Sequence, residues 1–167
     1  MNVNCVIGID QSSTNTGVVI MSVTGEYLYA YLIQPPKKLN FEERVLYTHK
    51  IIMEIIEDIK NDLVAVGLEG VAIFSKGKVV QLAGLLGLLK YSIMNLNYKT
   101  FEFPPSSVKK FATTNGRANK DDMIEALPEN VKLDFQDISD RLEDLADAYH
   151  IAKMTAEKYL KELKCED

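Results

Sequence analysis

The sequence predicts one α/β domain over residues 1–167, built on a five-stranded mixed sheet flanked by helices. Three short apolar runs follow one another at the start of the chain with only polar turns between them, which predicts an antiparallel meander of three strands. Two further apolar runs alternate with helical patterns, which predicts parallel strands. A hydrophobic content of 47% in 167 residues is sufficient for one packed core. We therefore expect the element order βββαβαβαα.

The three strands of the meander are predicted at residues 3–9, 16–22 and 27–33. The first run, VNCVIGI, is rich in β-branched residues and ends abruptly at Asp10, which is the pattern of a buried central strand with a carboxylate at its end. The polar segment QSSTN and the turn TGE separate the following strands. The meander should therefore place Asp10 at one edge of the sheet.

A helix and a fourth strand are predicted next. After Pro35 and Pro36 end the meander, apolar residues recur at helical spacing from Phe41 to Ile59, which predicts an amphipathic helix to about residue 60. The run LVAVGLE at residues 63–69 predicts a strand that ends on Glu69. Two separate strands thus present a carboxylate at their ends.

The second half of the chain predicts mainly helices. Residues 79–96 are apolar nearly all round, which is typical either of a core helix or of a helix in a dimer interface. The remaining elements are predicted as a fifth strand at 98–103, a short helix at 107–111, a helix at 119–127, a linker through Pro128 and a long helix at 139–163.

Composition excludes several classes of protein. No basic segment precedes an apolar run at the start, and no uncharged apolar stretch reaches 18 residues, so we expect neither export nor a membrane partner but a location in the cytoplasm. Two histidines and two isolated cysteines give little support for histidine-based, zinc or redox chemistry. Carboxylates are the groups that remain for catalysis.

Charge is unevenly distributed along the chain. The formal net charge is −5, yet residues 70–120 hold eight basic residues and one acid, Glu102. A basic middle between acidic ends is compatible with a surface that faces DNA, although solvated surface lysines give the same pattern.

The last predicted helix carries a group of acids. Asp144, Asp147 and His150 are three residues apart and share one face of the helix. Such a face is often merely solvated, but here Leu145, Ala146, Ala148 and Ile151 make the neighbouring surface apolar, where an uncompensated pair of carboxylates would be costly. A bound cation would remove that cost.

Four carboxylates, on Asp10, Glu69, Asp144 and Asp147, are the donor set expected for two divalent cations that catalyse phosphodiester hydrolysis. Oxygen-only ligands favour Mg²⁺, with Mn²⁺ as the substitute. Spacing along the chain does not by itself bring the four groups together, so convergence remains a prediction.

Three acidic motifs resemble those of the RuvC family of Holliday junction resolvases: GIDQSSTNTG at residues 8–17, GLEG at 67–70 and DLADAYHIA at 144–152. The segment PPSSVKKFATTNGRANKDDM at 104–123 is similar to the stretch that precedes the last acidic helix in that family. The resemblance implies an RNase H-like fold, a homodimer that makes paired nicks in a four-way DNA junction, and dependence on Mg²⁺. The compact, divergent sequence resembles phage-encoded members.

The same resemblance implies roles for individual residues. Asp10, Glu69, Asp144 and Asp147 would be the catalytic metal ligands, and Lys109 and Lys120 would lie near the scissile phosphate. Further DNA contacts are expected from Lys110, Arg117, Lys76 and Lys78, and the aromatic available to enter the junction centre is Phe74. His150 is either an assistant at the metal face or a packing residue.

Three alternatives stay open at this point. The loop at residues 70–80 is short and divergent, which favours a nuclease or binding protein with a broader preference for forks, flaps and three-way junctions. GIDQSSTNTG also resembles the first phosphate loop of actin-like ATPases, although one domain without a second phosphate loop is a poor fit to that class.

Overall fold

The computed structural model describes residues 3–71 and 79–166. Its five strands form one sheet in the order β3-β2-β1-β4-β5. The strands are β1 (Cys5–Asp10), β2 (Thr16–Ser22), β3 (Tyr27–Ile33), β4 (Leu63–Glu69) and β5 (Lys99–Phe103). The β1–β2 and β2–β3 pairs are antiparallel, whereas β1–β4 and β4–β5 are parallel. The predicted mixed sheet, with its meander and its parallel strands, is confirmed.

Six helices are described. They are α1 (Phe41–Asp58), α2 (Val79–Asn95), α3 (Pro105–Thr113), α4 (Lys120–Glu125), α5 (Glu129–Ile138) and α6 (Leu142–Glu166). α1 begins at a capping box in which the Asn40 side chain accepts from the Glu43 backbone N–H and the Glu43 side chain accepts from that of Asn40. No helix within residues 3–71 and 79–166 is both long and apolar enough to span a membrane.

The predicted element order ended in two helices after β5, and the predicted segments gave three, at 107–111, 119–127 and 139–163, whereas the structure has four. α5 occupies residues that follow the predicted linker at Pro128, and its two buried residues are Val131 and Phe135. The Phe135 ring packs edge-on against Tyr27 of β3 at a centroid distance of 5.7 Å. α5 is therefore stabilised by contact with the edge strand of the meander. Val131, Phe135 and Ile138 recur at helical spacing after Pro128, which is a local signal that the prediction did not use.

Each face of the sheet has its own apolar core. Ile7, Ile9, Val66 and Leu68 point toward α1 and α2, where they pack in an aliphatic cluster. The opposite face packs against α6 together with the buried residues of α3, α4 and α5. Because side chains alternate along a strand, Val6, Gly8 and Asp10 of β1 lie on this second face.

Glycines allow α6 to approach the sheet at backbone distance. A Cβ atom at Gly8 would lie 2.2 Å from the Ala152 backbone nitrogen, and one at Gly17 would lie 2.0 Å from the Asp144 carbonyl oxygen. A Cβ at Gly67 would lie 1.9 Å from Thr155 Oγ1. Gly8 and Gly67 each stand two residues before an acid at the end of a strand, so the close approach occurs beside Asp10 and Glu69.

Candidate active site

Asp10 and Glu69 come together because β1 and β4 are adjacent parallel strands. Ile9 pairs with Leu68 in the register of the two strands, so the acids that follow them emerge at the same edge of the sheet. The two carboxyl groups lie close enough that the charge of Glu69 raises the pKa of Asp10. Two carboxyl groups this close are expected to titrate as a pair.

α6 brings the other two acids to this edge. Asp144 lies in the first turn of α6, against Gly17, and Asp147 follows one helical turn later. Both residues are half-buried, and the following residue Ala148 is fully buried against β1 and β2. The three strand glycines thus set how far the acids of α6 reach toward Asp10 and Glu69.

The electrostatics show that the four acids lie in one neighbourhood. Burial, and then the charges of Glu69, Asp147 and Asp144, raise the pKa of Asp10 well above its usual value. Burial and the charge of Asp147 raise the pKa of Glu69 to about 7. Burial also raises the pKa of Asp147 to about 6. Without a cation, therefore, this part of the protein favours protonated carboxyl groups.

This donor set fits a divalent cation in its chemistry. All four groups are carboxylates, which are hard oxygen ligands, and their mutual repulsion is what a cation would relieve. The adjacent Gln11 is buried; its Nε2 donates to the Glu69 carbonyl oxygen, and its Oε1 has no hydrogen-bond partner among the described residues. The four carboxylates and the neutral Gln11 Oε1 are therefore the oxygen atoms that would coordinate an ion here.

The acids are not yet gathered around a single point. Across residues 3–71 and 79–166, no three His, Cys, Asp or Glu side chains are close enough together to enclose an ion. One reason is that Asp144 Oδ2 accepts from Arg141 Nε at 3.1 Å. Binding of a cation by all four acids would require Asp144 to exchange this guanidinium for the ion.

Two predicted basic residues face the acids. The charge of Lys109, on α3, lowers the pKa values of Glu69 and Asp147, and that of Lys120, at the start of α4, lowers those of Asp10 and Asp147. Lys120 Nζ also lies 3.6 Å from Glu143 Oε1. Lys109 and Lys120 thus supply positive potential at the edge where the acids lie.

The other predicted DNA contacts are more distant or are not described. Lys110 and Arg117 are exposed on α3 and in the α3–α4 loop, and they contribute to none of the carboxylate pKa shifts given above. Lys76, Lys78 and Phe74 lie outside the described residues.

His150 does not face the carboxylates. It is buried, and its Nε2 lies 3.0 Å from the Met123 backbone oxygen on α4. Burial lowers its pKa, so the ring is held neutral as a packing residue between α6 and α4. Of the two interpretations of His150, the structure supports packing.

Sequence reasoning missed Arg141 and Gln11. Arg141 pairs with Asp144 and also lies 3.3 Å from Glu143 Oε1 through Nη2. Its position three residues before Asp144 is a local signal that could have identified it. Gln11 left no such signal, because its importance depends on the neighbouring strand that ends at Glu69.

A sheet of this order, with carboxylates at the ends of its first and fourth strands and on a helix packed across it, defines the class of RNase H-like nucleases. The family model described as "Crossover junction endodeoxyribonuclease RuvC" matches residues 6–155. The chain therefore belongs to the RuvC family of crossover junction endodeoxyribonucleases. This confirms the resemblance of the acidic motifs and decides against the actin-like ATPase.

Relatives over most of the chain carry the same description. The RuvC protein of Thermotoga maritima is 28% identical over 155 residues, which cover 88% of this chain and 87% of that protein. The RuvC protein of Prochlorococcus marinus is 25% identical over 151 residues, covering 88% and 94%. That of Helicobacter hepaticus is 31% identical over 121 residues, covering 69% and 64%.

Solved structures confirm the fold. Thermus thermophilus RuvC in complex with Holliday junction substrate superimposes with a TM-score of 0.71 at 20% identity, covering 96% of each chain. The fowlpox virus resolvase in complex with Holliday junction DNA gives a TM-score of 0.62 at 14% identity, covering 95% of this chain and 98% of that one. The predicted RNase H-like fold is confirmed.

Proposed function

We propose that this protein resolves Holliday junctions by metal-dependent hydrolysis of DNA phosphodiester bonds, with Asp10, Glu69, Asp144 and Asp147 as the ligands of two Mg²⁺ ions, for which Mn²⁺ substitutes. The observation that carries the proposal is the mutual electrostatic coupling of acids from β1, β4 and α6, three elements that meet at one edge of the sheet. Structural ion-pair networks place carboxylates beside cations, whereas here acids lie beside acids.

The residues of this chain contribute position and charge. Asp10 and Glu69 are held by paired strands, so their carboxylates are positioned rigidly, and α6 supplies the other two from one side. The ions would activate a water molecule for attack and stabilise the leaving 3′ oxygen. Lys109 and Lys120 would attract the scissile phosphate to this edge and offset its charge.

Contacts with the rest of the junction are assigned to basic side chains farther from the acids. Lys110 and Arg117 are exposed on α3 and in the α3–α4 loop. We propose that they, with Lys76 and Lys78, contact the DNA backbone while Phe74 enters the junction centre. Since the net charge of the chain is −5, binding depends on this local positive potential and should weaken steeply with salt. Action on DNA in the cytoplasm follows from this function.

Paired cuts in a four-way junction require two active sites, and we propose that α2 forms the interface of a homodimer. The helix exposes Tyr91 and Met94 to solvent at 67% and 59%, and Gly87 on the same helix has open space around it. An apolar helix face with a flat glycine position suits close packing against a second copy. Tyr91→Glu should shift the protein from dimer to monomer in sedimentation velocity, whereas Lys50→Glu on α1 should not.

The test of the proposed function is cleavage of labelled four-way, three-way, forked and linear DNA with and without Mg²⁺. Asp10→Asn should abolish cleavage and retain binding of the four-way junction. Asp140→Asn, which changes an exposed acid beside α6, should leave both cleavage and binding unchanged. Cutting of every branched substrate would instead indicate a broader debranching nuclease. Binding without cutting in Mg²⁺ or Mn²⁺ would contradict the assignment of the four acids.

Lys109 and Lys110 provide a matched pair of neighbouring lysines. Lys109→Ala should slow cleavage at saturating DNA, because its charge acts on Glu69 and Asp147. Lys110→Ala should weaken binding with little effect on the rate at saturation. Equal effects of the two substitutions on the cleavage rate would show that Lys109 does not act at the active site.

A further inference from the structure

A cationic pocket lies beside the candidate active site and shares Arg141 with it. It has a volume of about 730 Å³. It is formed by the β1–β2 loop, the segment after β3 and the residue that precedes α6, and the side chains that matter are Thr14, Asn15, Gln34, Lys37, Arg44 and Arg141. Three of these are basic, and within the described part of the chain no carboxylate lines the pocket. For a chain with a net charge of −5, this is a local concentration of positive charge.

The pocket wall is held in place by hydrogen bonds. Arg44 Nη2 donates to the Lys37 carbonyl oxygen at 2.7 Å, and Arg44 Nε donates to the Leu39 carbonyl oxygen at 2.9 Å. These two hydrogen bonds hold the segment that precedes α1 and carries Lys37. Lys37 itself is exposed, and none of the described acids lies within ion-pair distance of it. Its ammonium group is available to a ligand.

Amide and hydroxyl groups complete the wall opposite Lys37. The side-chain amides of Asn15 and Gln34 lie 3.0 Å apart, and the Thr14 hydroxyl lies 3.1 Å from that of Ser12. With its oxygen turned toward the guanidinium, the Asn15 amide lies 3.3 Å from Arg141 Nη2 and Nε. The pocket thus combines the cations of Lys37 and Arg141 with neutral donors, which is the chemistry that binds a phosphate group.

Arg141 joins this pocket to the candidate metal site. The same guanidinium that lines the pocket donates to Asp144 Oδ2 at 3.1 Å. Asn15 lies between Asp10 at the end of β1 and Thr16 at the start of β2, so the loop that lines the pocket begins at the acid itself. A strand whose scissile phosphate lies at the acids therefore has a neighbouring phosphate within reach of the pocket.

We infer that the pocket of Lys37 and Arg141 is a subsite for a second phosphate of the strand that is cut. It would hold the backbone at a second phosphate, next to the scissile phosphate that Lys109 and Lys120 attract, so that the strand is fixed at two points. This inference rests on the proposed function, because it takes the ligand to be a DNA strand. A free phosphate ion would be bound by the same groups, and the experiment below distinguishes it from a phosphate of the DNA strand.

The experiment compares Lys37→Gln with Lys38→Gln, both in the Asp10→Asn background so that DNA is bound without being cut. Lys38 is the adjacent exposed lysine and does not line the pocket, so it is a control of equal charge change. Affinity for a four-way junction is measured against salt, and each phosphate near the cut site is replaced in turn by a neutral methylphosphonate.

In the Asp10→Asn background, one methylphosphonate position beside the scissile phosphate should weaken binding, and Lys37→Gln should lose the response at that position alone. The slope of log affinity against log salt should fall in magnitude by about 0.9 with Lys37→Gln, as expected for one lost phosphate contact. Lys38→Gln should keep the positional response. Arg141→Gln should lose the response at the same position as Lys37→Gln.

Equal methylphosphonate profiles for the Lys37 and Lys38 variants, with junction binding otherwise intact, would overturn the subsite and leave the proposed function standing. Failure of the unsubstituted protein to bind or cut branched DNA would overturn both. If Lys37→Gln weakened binding of inorganic phosphate but left the methylphosphonate profile unchanged, the pocket would hold a free anion, and the assignment to the DNA strand would be wrong.

Discussion

The two faces of the sheet are packed in different ways. Toward α1 and α2, the sheet presents branched aliphatic side chains such as Ile7, Ile9 and Leu68, which fill the space between layers. Toward α6, β1 and β2 present Gly8 and Gly17, and the helix backbone lies where their side chains would be. One face is separated from its helices by side chains, whereas the other is in contact with its helix through the backbone.

This difference shows where positional accuracy is required. Side chains in an aliphatic layer can repack after a substitution, but a backbone contact leaves no flexible atom to move. The four acids all emerge at the α6 face, so the distance between α6 and the sheet sets their separation. We infer that the glycine face tolerates substitution poorly and the aliphatic face tolerates it better.

The largest effect is expected from Gly8→Ala. Its methyl group would lie 2.2 Å from the Ala152 nitrogen and 2.4 Å from the Ala148 oxygen, so α6 must move or the strand must distort. We expect a loss of more than about 4 kcal/mol in the free energy of unfolding, measured by urea denaturation. Unfolding at the same urea concentration as the unsubstituted protein would show that the backbone contact is not constrained.

A smaller loss is expected from Leu89→Ala on the other face. Leu89 is fully buried on α2, and its truncation should cost about 2–5 kcal/mol. Because none of the four acids lies on this face, the cleavage rate per folded molecule should stay within about twofold of the original rate. A twofold change corresponds to about 0.4 kcal/mol in activation free energy. A decrease of tenfold or more in single-turnover cleavage would show that the two faces are coupled.

Each face also holds one histidine whose pKa is lowered by burial, His49 on α1 and His150 on α6. Their folded-state pKa values lie below the unfolded value of about 6.5, so their contribution to stability is present above that pH and is lost as the pH falls through it. The hydrogen bond between His150 and the Met123 carbonyl raises the pKa of His150, and the charge of Lys153 lowers it further. The more deeply buried His150 should give the larger effect.

The measurement is the loss of stability between about pH 7.5 and pH 5.5, which bracket the unfolded pKa. His150→Gln and His49→Gln should each show a smaller loss than the unsubstituted protein, by up to about 1.4 kcal/mol per pH unit below the unfolded pKa. Titration of the carboxylates contributes to all three proteins and so cancels in the difference. An unchanged loss in His150→Gln would mean that the ring is not held neutral.

The smallest effect is expected from Gly87→Ala. It is the same substitution as Gly8→Ala, but it is made at an open position instead of a crowded one. Gly87 lies in the middle of α2 with open space around it, so a methyl group meets no atom of the chain that the structure describes. Alanine is the better helix former, and in the background of Tyr91→Glu, which is expected to be monomeric, the thermal midpoint should rise by the equivalent of about 0.5–1 kcal/mol. A fall in that background would show that the methyl group meets an atom of its own chain.

Much of the site could be predicted because its signals are local. Asp10 and Glu69 each end an apolar β run, and the spacing of Asp144 and Asp147 is that of one helix face. The pocket of Lys37 and Arg141 could not be predicted in this way, because three segments far apart in the chain form it. α5 could have been predicted from the helical spacing of Val131, Phe135 and Ile138, but its packing partner Tyr27 could not.

The sequence by itself determined the five strands, every helix except α5, and the family, because strand ends, helical periodicity and acidic motifs are local features of neighbouring residues. It also placed a glycine two residues before each strand-end acid, in GID and GLE. Only the tertiary structure decided that Gln11 donates to the Glu69 carbonyl oxygen and that His150 turns toward α4. Those outcomes depend on distances between strands and between layers, which are set by packing across the sheet and not by any local segment.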